Sequence, residues 1–161
     1  MSKRADALAQ RIEQGAQALA AYAQGLSDAQ WRAAVPPDGR RVGVIVHHVA
    51  SVYPIEIHLA KEVASGKRIE GVTWGFVADM NAKHAHDHAA VSREETVDLL
   101  RSNSHSAAEA VRVLSDEELD RAAPVSLNAD APVTAQFLIE DHALRHSWHH
   151  LAKIKAVLQG V

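Results

Sequence analysis

The sequence predicts an all-α fold, a bundle of four long helices with short extra helices in the connections. Apolar residues recur at helical spacing through four long stretches, and no stretch keeps the strict alternation that is typical of a strand. Alanine, valine and leucine supply most of the apolar side chains, whereas the aromatic residues are three Trp, two Tyr and two Phe. A length of 161 residues is typical of one domain, so we expect residues 1–161 to form a single helical bundle domain.

The N-terminal half holds two of the long helices. The first is predicted over Arg4–Gln24 and ends before a glycine, a preferred residue just after the last helical turn. A short turn opens at Ser27–Gln30, and Pro36–Gly39 is a loop because prolines and glycine interrupt helices. The second helix is predicted over Arg41–Ala64. We expect Pro54 to kink it without ending it, although a new helix beginning at this proline is the alternative.

The C-terminal half holds the other two long helices and a shorter one. The shorter helix is predicted over Thr73–Ala89. The next long helix, Ser92–Leu114, begins at a capping box, a serine followed three residues later by glutamate. Another short turn opens at Ser115–Glu118, and Ala123–Pro132 is a loop that contains two prolines. The last helix is predicted over Thr134–Leu158.

Composition excludes several classes of function. The net charge of −3 argues against a nucleic-acid binder that works by neutralising phosphates. The absence of cysteine excludes a disulfide framework, a thiolate metal site and a cysteine nucleophile. No apolar run is long enough to cross a membrane and the N-terminus lacks the apolar core of an export signal, so we expect a cytoplasmic protein. The unusual feature is histidine, with 11 residues.

One histidine of the second helix is predicted to face the core. At about 100° per residue, His48 falls in the middle of an apolar stripe that includes Val44 and Val52. His47 and His58 fall at the edge of that stripe. Because a buried polar ring costs free energy unless it finds a partner, His48 either bonds a carbonyl or binds a metal ion.

The last helix contains the other candidate ligands. His142, His146 and His150 are spaced four apart, and this spacing allows two imidazoles of one helix to bind one metal ion. The face count places His146 and His150 nearest the apolar stripe and His149 further round. With His48 they predict three imidazoles and an open coordination position, as in catalytic metal sites. The alternative is a solvated histidine-rich helix that binds metals adventitiously.

A further histidine cluster lies on the shorter helix. His84 and His88 share a face with Asn81, whereas His86 points away. Exposed histidines are the simple interpretation, and the functional one is that Asn81 and His84 line the mouth of the metal pocket. The face count puts Asp141 on the wrong side of the last helix to be a further ligand. No phosphate-binding loop, nucleophile elbow or H-E-x-x-H motif occurs.

Two segments carry a resemblance to a known family. Val44–Ala50 and Arg145–Ile154 resemble the metal-ligand motifs of the DinB-like family, which includes thiol-dependent transferases and isomerases. The resemblance covers essentially the whole chain and implies a four-helix bundle in up-down-down-up order. The long Gly66–Val91 connection suits this order, because two consecutive parallel helices need a crossover. The motif usually ends Gly-Gln-Ile, whereas this chain has Ala152–Ile154, Ala-Lys-Ile.

The resemblance also implies a ligand set and a function. The metal triad of the family falls on His48, His146 and His150, while no catalytic residue is assigned. We expect one divalent ion, zinc or nickel, since imidazole suits both. The expected function is an enzyme that activates a thiol or a water, of the thiol transferase type, acting on a small molecule. A low-molecular-weight thiol would be the cosubstrate, with Arg145 and Lys153 able to hold its carboxylates.

Two other functions stay open on the sequence. One is a metal-dependent hydrolase, and the other is a non-catalytic metal-binding or stress-response protein. Related bundles often pair, so a homodimer is compatible with the sequence.

Overall fold

The structure is a computed structural model that describes residues 2–160, and helices dominate it. The eight α-helices of this range are α1 (Lys3–Gln24), α2 (Asp28–Trp31), α3 (Val42–Ala64), α4 (Trp74–Asp87), α5 (Arg93–Arg112), α6 (Asp116–Asp120), α7 (Ala135–Leu138) and α8 (Arg145–Gln159). A π-helical turn, Ile139–Leu144, joins α7 to α8, so the three segments form one long final helix. The four long helices are therefore α1, α3, α5 and this final helix.

Serine and threonine caps explain where most of these helices begin. In each case the hydroxyl accepts a hydrogen bond from a backbone N–H of the first turn, a group that has no partner within the helix. The capping residues are Ser2, Ser27, Thr73, Ser92, Ser115 and Thr134.

Helices α1 and α5 run antiparallel. Arg112, at the end of α5, pairs with Asp6 and Glu13 in the first half of α1. Arg101, nearer the start of α5, donates to Gln24 at the end of α1 over 3.0 Å.

Helices α3 and α5 run parallel. Near their starts, the Trp31 indole donates to the carbonyl of Val91 over 3.1 Å. Beyond the end of α5, the guanidinium of Arg121 donates to the carbonyl of Ala64, the last residue of α3, over 2.6 Å. The connection that holds α4 returns the chain to the end of the bundle where α3 began.

The final helix runs parallel to α1. Arg4 donates to Gln136 over 2.6 Å at the start of both helices. The Lys155 ammonium lies 5.2 Å from the centre of the Tyr22 ring near the end of both. Together with the other pairs, these contacts give the up-down-down-up order, so the predicted all-α four-helix bundle is confirmed.

Helix α3 is the central core helix, and it continues through Pro54. Proline cannot donate to the carbonyl four residues earlier, which belongs to Ala50. The side-chain amide of Asn103 donates to that carbonyl over 2.8 Å instead, so the expected continuous helix forms.

Helix α3 is also long and apolar enough to cross a membrane. However, 67% of its most apolar stretch is buried inside the protein, as in a core helix.

Two short hairpins correct the expectation that no strand is present. Strand β1 (Ala34–Val35) pairs antiparallel with β2 (Arg40–Arg41), and β3 (Ala122–Val125) pairs antiparallel with β4 (Ala131–Thr134). Strands of two residues are too short to show alternation, and the longer pair is interrupted by prolines, which argue against strands in a sequence. The first hairpin leads directly into α3 and positions Arg40 beside the candidate site.

Candidate metal centre

Three histidines from two helices converge inside the bundle. Nε2 of His48, on α3, lies 3.2 Å from Nε2 of His146, on α8. One ligand atom from each of His48, His146 and His150 lies within 4.8 Å of the others. His48 and His150 are buried, at 5% and 7% exposed, and His146 is half-buried. The structure thus brings together the three residues that the sequence selected as ligands.

The spacing of these rings suits a divalent ion. Two nitrogens on a tetrahedral ion with bonds of 2.0–2.1 Å stand about 3.3 Å apart, and those on an octahedral ion about 2.9 Å. The separation of 3.2 Å between the His48 and His146 nitrogens lies between these values. Nδ1 of His150 is buried and has no hydrogen-bond partner among the described residues. Since buried polar atoms are normally satisfied, this nitrogen is consistent with an additional partner at the site.

Burial keeps the rings in the form that a metal ion needs. Desolvation, followed by the neighbouring charge of His146, lowers the pKa of His48 to about 3. The same causes, with a contribution from the His48 ring, lower the pKa of His150 to about 2. Both imidazoles are therefore neutral at physiological pH, and a neutral imidazole is the ligating form.

The structure adds Glu56, which the sequence reasoning missed. Nδ1 of His146 donates to Oε1 of Glu56 over 2.6 Å, and the glutamate side chain is only 9% exposed. A carboxylate that accepts from Nδ1 fixes the ring orientation and leaves Nε2 free for a metal. Glu56 follows His48 by eight positions, about 80° round the helix. A carboxylate so near the apolar stripe of α3 was the sequence signal that could have revealed Glu56.

A buried hydrogen bond fixes the helix that carries two of the rings. The Tyr53 hydroxyl and the Ser147 hydroxyl lie 2.6 Å apart, and both side chains are almost fully buried. Because Ser147 follows His146 directly, the bond fixes the register of α8 against α3 at the site.

The triad opens into a cavity of about 350 Å³. Most of its wall is apolar and comes from α3, α4 and the final helix, with Val52, Leu59, Phe76, Met80 and Leu138 among the lining side chains. Such a volume and lining are typical of small-molecule sites.

Arg40 supplies a cation at this cavity and was also missed from the sequence. Its Nε donates to Asp38 over 2.8 Å, and the arginine side chain is 15% exposed. Nη1 of Arg40 is buried and has no hydrogen-bond partner among the described residues. Only the hairpin brings Arg40 to the cavity, and a two-residue strand leaves no pattern in the sequence.

Only one of the two residues expected at the pocket mouth lines the cavity. Asn81 lines the cavity, and its Oδ1 is buried without a partner in the described part of the chain. His84 is not among the cavity-lining residues. Its Nε2 lies 2.9 Å from Nδ1 of His47, in a separate cluster completed by His88.

Asp141 lines the cavity but does not belong to the group of ligand atoms formed by His48, His146 and His150. Asp141 lines the same cavity as the triad, together with His142, His149 and Arg145, and its carboxylate lies 3.2 Å from Nε of Arg145. Asp141 stands in the π-helical turn, which has more residues per turn than an α-helix. Lys153, the other cation considered for a thiol, does not line the cavity.

A further group of possible ligands lies near the bundle surface. Glu13, His105 and Glu109 each place a ligand atom within 4.8 Å of the others. Arg112 already pairs with both carboxylates, so its positive charge occupies the position that a cation would need.

Comparisons with known proteins agree with this architecture. Residues 11–154 match the sequence model of a family described as the DinB superfamily. No curated protein matches the chain. Among solved structures, the chain is similar to YfiT from Bacillus subtilis, whose structure is described as that of a probable metal-dependent hydrolase with an unusual four-helix bundle topology. The TM-score is 0.75 at 19% identity, over 99% of this chain and 90% of that one. Since the family match extends over most of its length, the chain belongs to the DinB superfamily.

Proposed function

We propose that this chain is a metal-dependent enzyme that acts on a small organic molecule. His48, His146 and His150 would hold one divalent ion, zinc or nickel, as expected for an all-imidazole ligand set. The observation that carries the proposal is the position of the triad at an apolar cavity. Three protein ligands leave a coordination position open, which is typical of catalytic rather than structural metal sites. A purely metal-binding protein would not need the cavity.

Several groups of this chain would have separate roles around such an ion. When bound, the ion supplies Lewis acidity, which lowers the pKa of a water or thiol at its open position. Glu56 keeps the proton of His146 on Nδ1 and so maintains the ligating tautomer. The apolar wall excludes water from the substrate, which strengthens charge interactions inside the cavity.

Arg40 points to a substrate or cosubstrate with an anionic group. Its buried, unpartnered Nη1 offers a hydrogen bond from a group that is always charged. Arg145, at the rim of the same cavity, adds a second cation, although it pairs with Asp141. A carboxylate on the bound molecule would satisfy the free donor of Arg40.

The first candidate reaction is transfer to a thiol cosubstrate. A thiol that coordinates a metal loses its proton directly, and the thiolate is the nucleophile. Natural low-molecular-weight thiols such as cysteine and glutathione carry carboxylates, which match Arg40 and Arg145. The chain has no cysteine of its own, so the sulfur must come from outside.

The second candidate is metal-dependent hydrolysis, and the similarity to YfiT favours it. In this reaction the open coordination position of the ion would hold a water, and the ion would activate it. His149 lines the cavity, and partial burial followed by the nearby charge of Arg145 lowers its pKa, so this ring is neutral and would be the candidate proton acceptor in that reaction.

The cobalt-substituted protein distinguishes the two reactions. We expect cysteine or glutathione to produce a thiolate-to-cobalt charge-transfer band, with an apparent Kd raised at least tenfold in the Arg40→Gln variant. The Arg41→Gln variant is the matched control, because Arg41 is the next residue and is exposed outside the cavity. An unchanged cobalt spectrum with hydrolysis of carboxylate-bearing esters or amides would replace the thiol reaction by the hydrolytic one. An unchanged spectrum without any turnover would favour a non-catalytic metal-binding protein.

A further inference from the structure

We propose that His47, His84 and His88 form a second metal site, which binds a divalent transition-metal ion between α3 and α4. One ligand atom from each of these rings lies within 4.8 Å of the others. Nδ1 of His47 lies 2.9 Å from Nε2 of His84, close to the separation of about 2.9 Å between neighbouring nitrogens on an octahedral ion. The ring of His88 stacks on that of His47 with centres 4.1 Å apart.

The sequence explains why this cluster forms beside the first triad. His47 and His48 are consecutive on α3, so their side chains leave the helix about 100° apart and reach different neighbours. His84 stands in the last turn of α4 and His88 caps the end of that helix, and the centres of their rings lie 4.6 Å apart. The His84 ring packs edge-on against the His48 ring with centres 5.6 Å apart, so the two triads are adjacent.

Hydrogen bonding among the three rings does not satisfy all their nitrogens. One proton can lie between Nδ1 of His47 and Nε2 of His84, but Nδ1 of His84 is buried without a partner among the described residues. The Ser51 hydroxyl donates to the His47 carbonyl over 2.7 Å and lies 3.2 Å from Nδ1 of His47, so toward the ring it can only accept. A metal ion would replace the proton shared by Nδ1 of His47 and Nε2 of His84, and Nδ1 of His84 would then carry the proton of that ring.

The position of α4 gives the ion a structural role. None of the residues of α4 is fully buried, so apolar packing alone holds this helix weakly against α3. Phe76 and Met80 of α4 nevertheless form part of the cavity wall. An ion bound by His47 together with His84 and His88 would tie this wall to the bundle.

The ligand chemistry defines the class of ion, and the burial of the two triads indicates which ion binds more tightly. Three imidazoles without a carboxylate suit zinc, nickel, cobalt or copper and do not suit magnesium or calcium. These three rings are half-buried, whereas two of the first triad are buried, and α4 is less firmly held than α8. We therefore expect the second ion to bind more weakly than the first.

Metal stoichiometry tests this site separately from the first triad. Equilibrium dialysis of the metal-free protein against cobalt, followed by elemental analysis, should give two ions per chain. The double variant His84→Gln, His88→Gln should bind one ion, and His48→Ala should lose the tighter ion while keeping the weaker one. His86→Gln is the matched control, because His86 lies on the same helix with its side chain 91% exposed, and it should bind two.

Three results would overturn the proposal. One is a single ion per chain in the wild-type protein, and another is two ions in the double variant. The third is loss of the weaker ion in a His105→Gln variant, which would place it in the surface group with Glu13.

Amide hydrogen exchange on the wild-type protein gives a measurement that needs no variant. The second equivalent of cobalt should slow exchange at residues 74–88 at least tenfold, and no slowing there would also contradict the site.

Discussion

Replacing Glu56 by glutamine should weaken metal binding without removing a ligand. In the wild-type protein Oε1 of Glu56 accepts from Nδ1 of His146 over 2.6 Å, and the ionised group only accepts. Glutamine has nearly the same shape, but it is neutral and can present its amide nitrogen to the ring. The His146 tautomer with Nε2 free for a metal therefore loses its charged partner.

The expected loss of metal affinity follows from the position of Glu56 behind the ligand His146. Loss of such a partner typically costs about 10–100-fold in metal affinity. This factor corresponds to about 1.4–2.7 kcal/mol of binding free energy. The contact is short and the glutamate is 9% exposed, so solvent screens it little, and we expect the upper half of that range. A fixed large excess of zinc should stabilise the variant less than the wild type by the same amount.

Competition with a chromogenic zinc chelator measures the effect directly. Glu62→Gln is the matched control, because Glu62 stands on the same helix and pairs with Lys67 at the surface. We expect the control to bind zinc as the wild type does. Equal zinc affinities for the wild type and the folded Glu56→Gln variant would refute the role given to Glu56.

Three further predictions concern stability, measured by urea denaturation. The lowered pKa of His48, about 3, means that the unfolded chain takes up its proton near pH 6.5 and the folded chain does not, so stability falls as the pH drops below about 6.5. Between pH 7.5 and 5.5 the metal-free His48→Gln variant should lose about 1.4 kcal/mol less than the wild type, and an equal loss would contradict this. Gly43→Ala should cost about 1–3 kcal/mol because the new Cβ would overlap the Trp31 ring, whereas Gly25→Ala meets nothing closer than 3.6 Å and should be tolerated. Asn103→Ala should cost about 1–3 kcal/mol, because it leaves the carbonyl freed by the proline of α3 without a donor; no loss would show that another group replaces the amide.

The parts of the fold that the sequence predicted are those with strong local signals. Capping serines and threonines mark the starts of most helices, as at Ser92 and Thr134, because few other side chains satisfy the first-turn N–H groups. The burial of His48 followed from apolar neighbours at helical spacing. The order of the helices came instead from the resemblance to a family, since periodicity does not determine direction.

The features that the sequence did not predict depend on tertiary contacts or on irregular backbone. Arg40 reaches the cavity only through a hairpin of two-residue strands, which leave no pattern in the sequence. Glu56 had a weak signal, but its role becomes clear only when His146 from another helix lies beside it. His84 was expected at the pocket mouth, yet it contacts His47, whose direction was left undecided.

The central claim is that His48, His146 and His150 bind one divalent ion, and anomalous diffraction from crystals of the zinc-loaded protein tests it most directly. The strongest peak at the zinc edge should lie about 2.0–2.1 Å from a ring nitrogen of each of the three histidines. The absence of a peak between these rings, with zinc bound elsewhere on the chain, would contradict the claim.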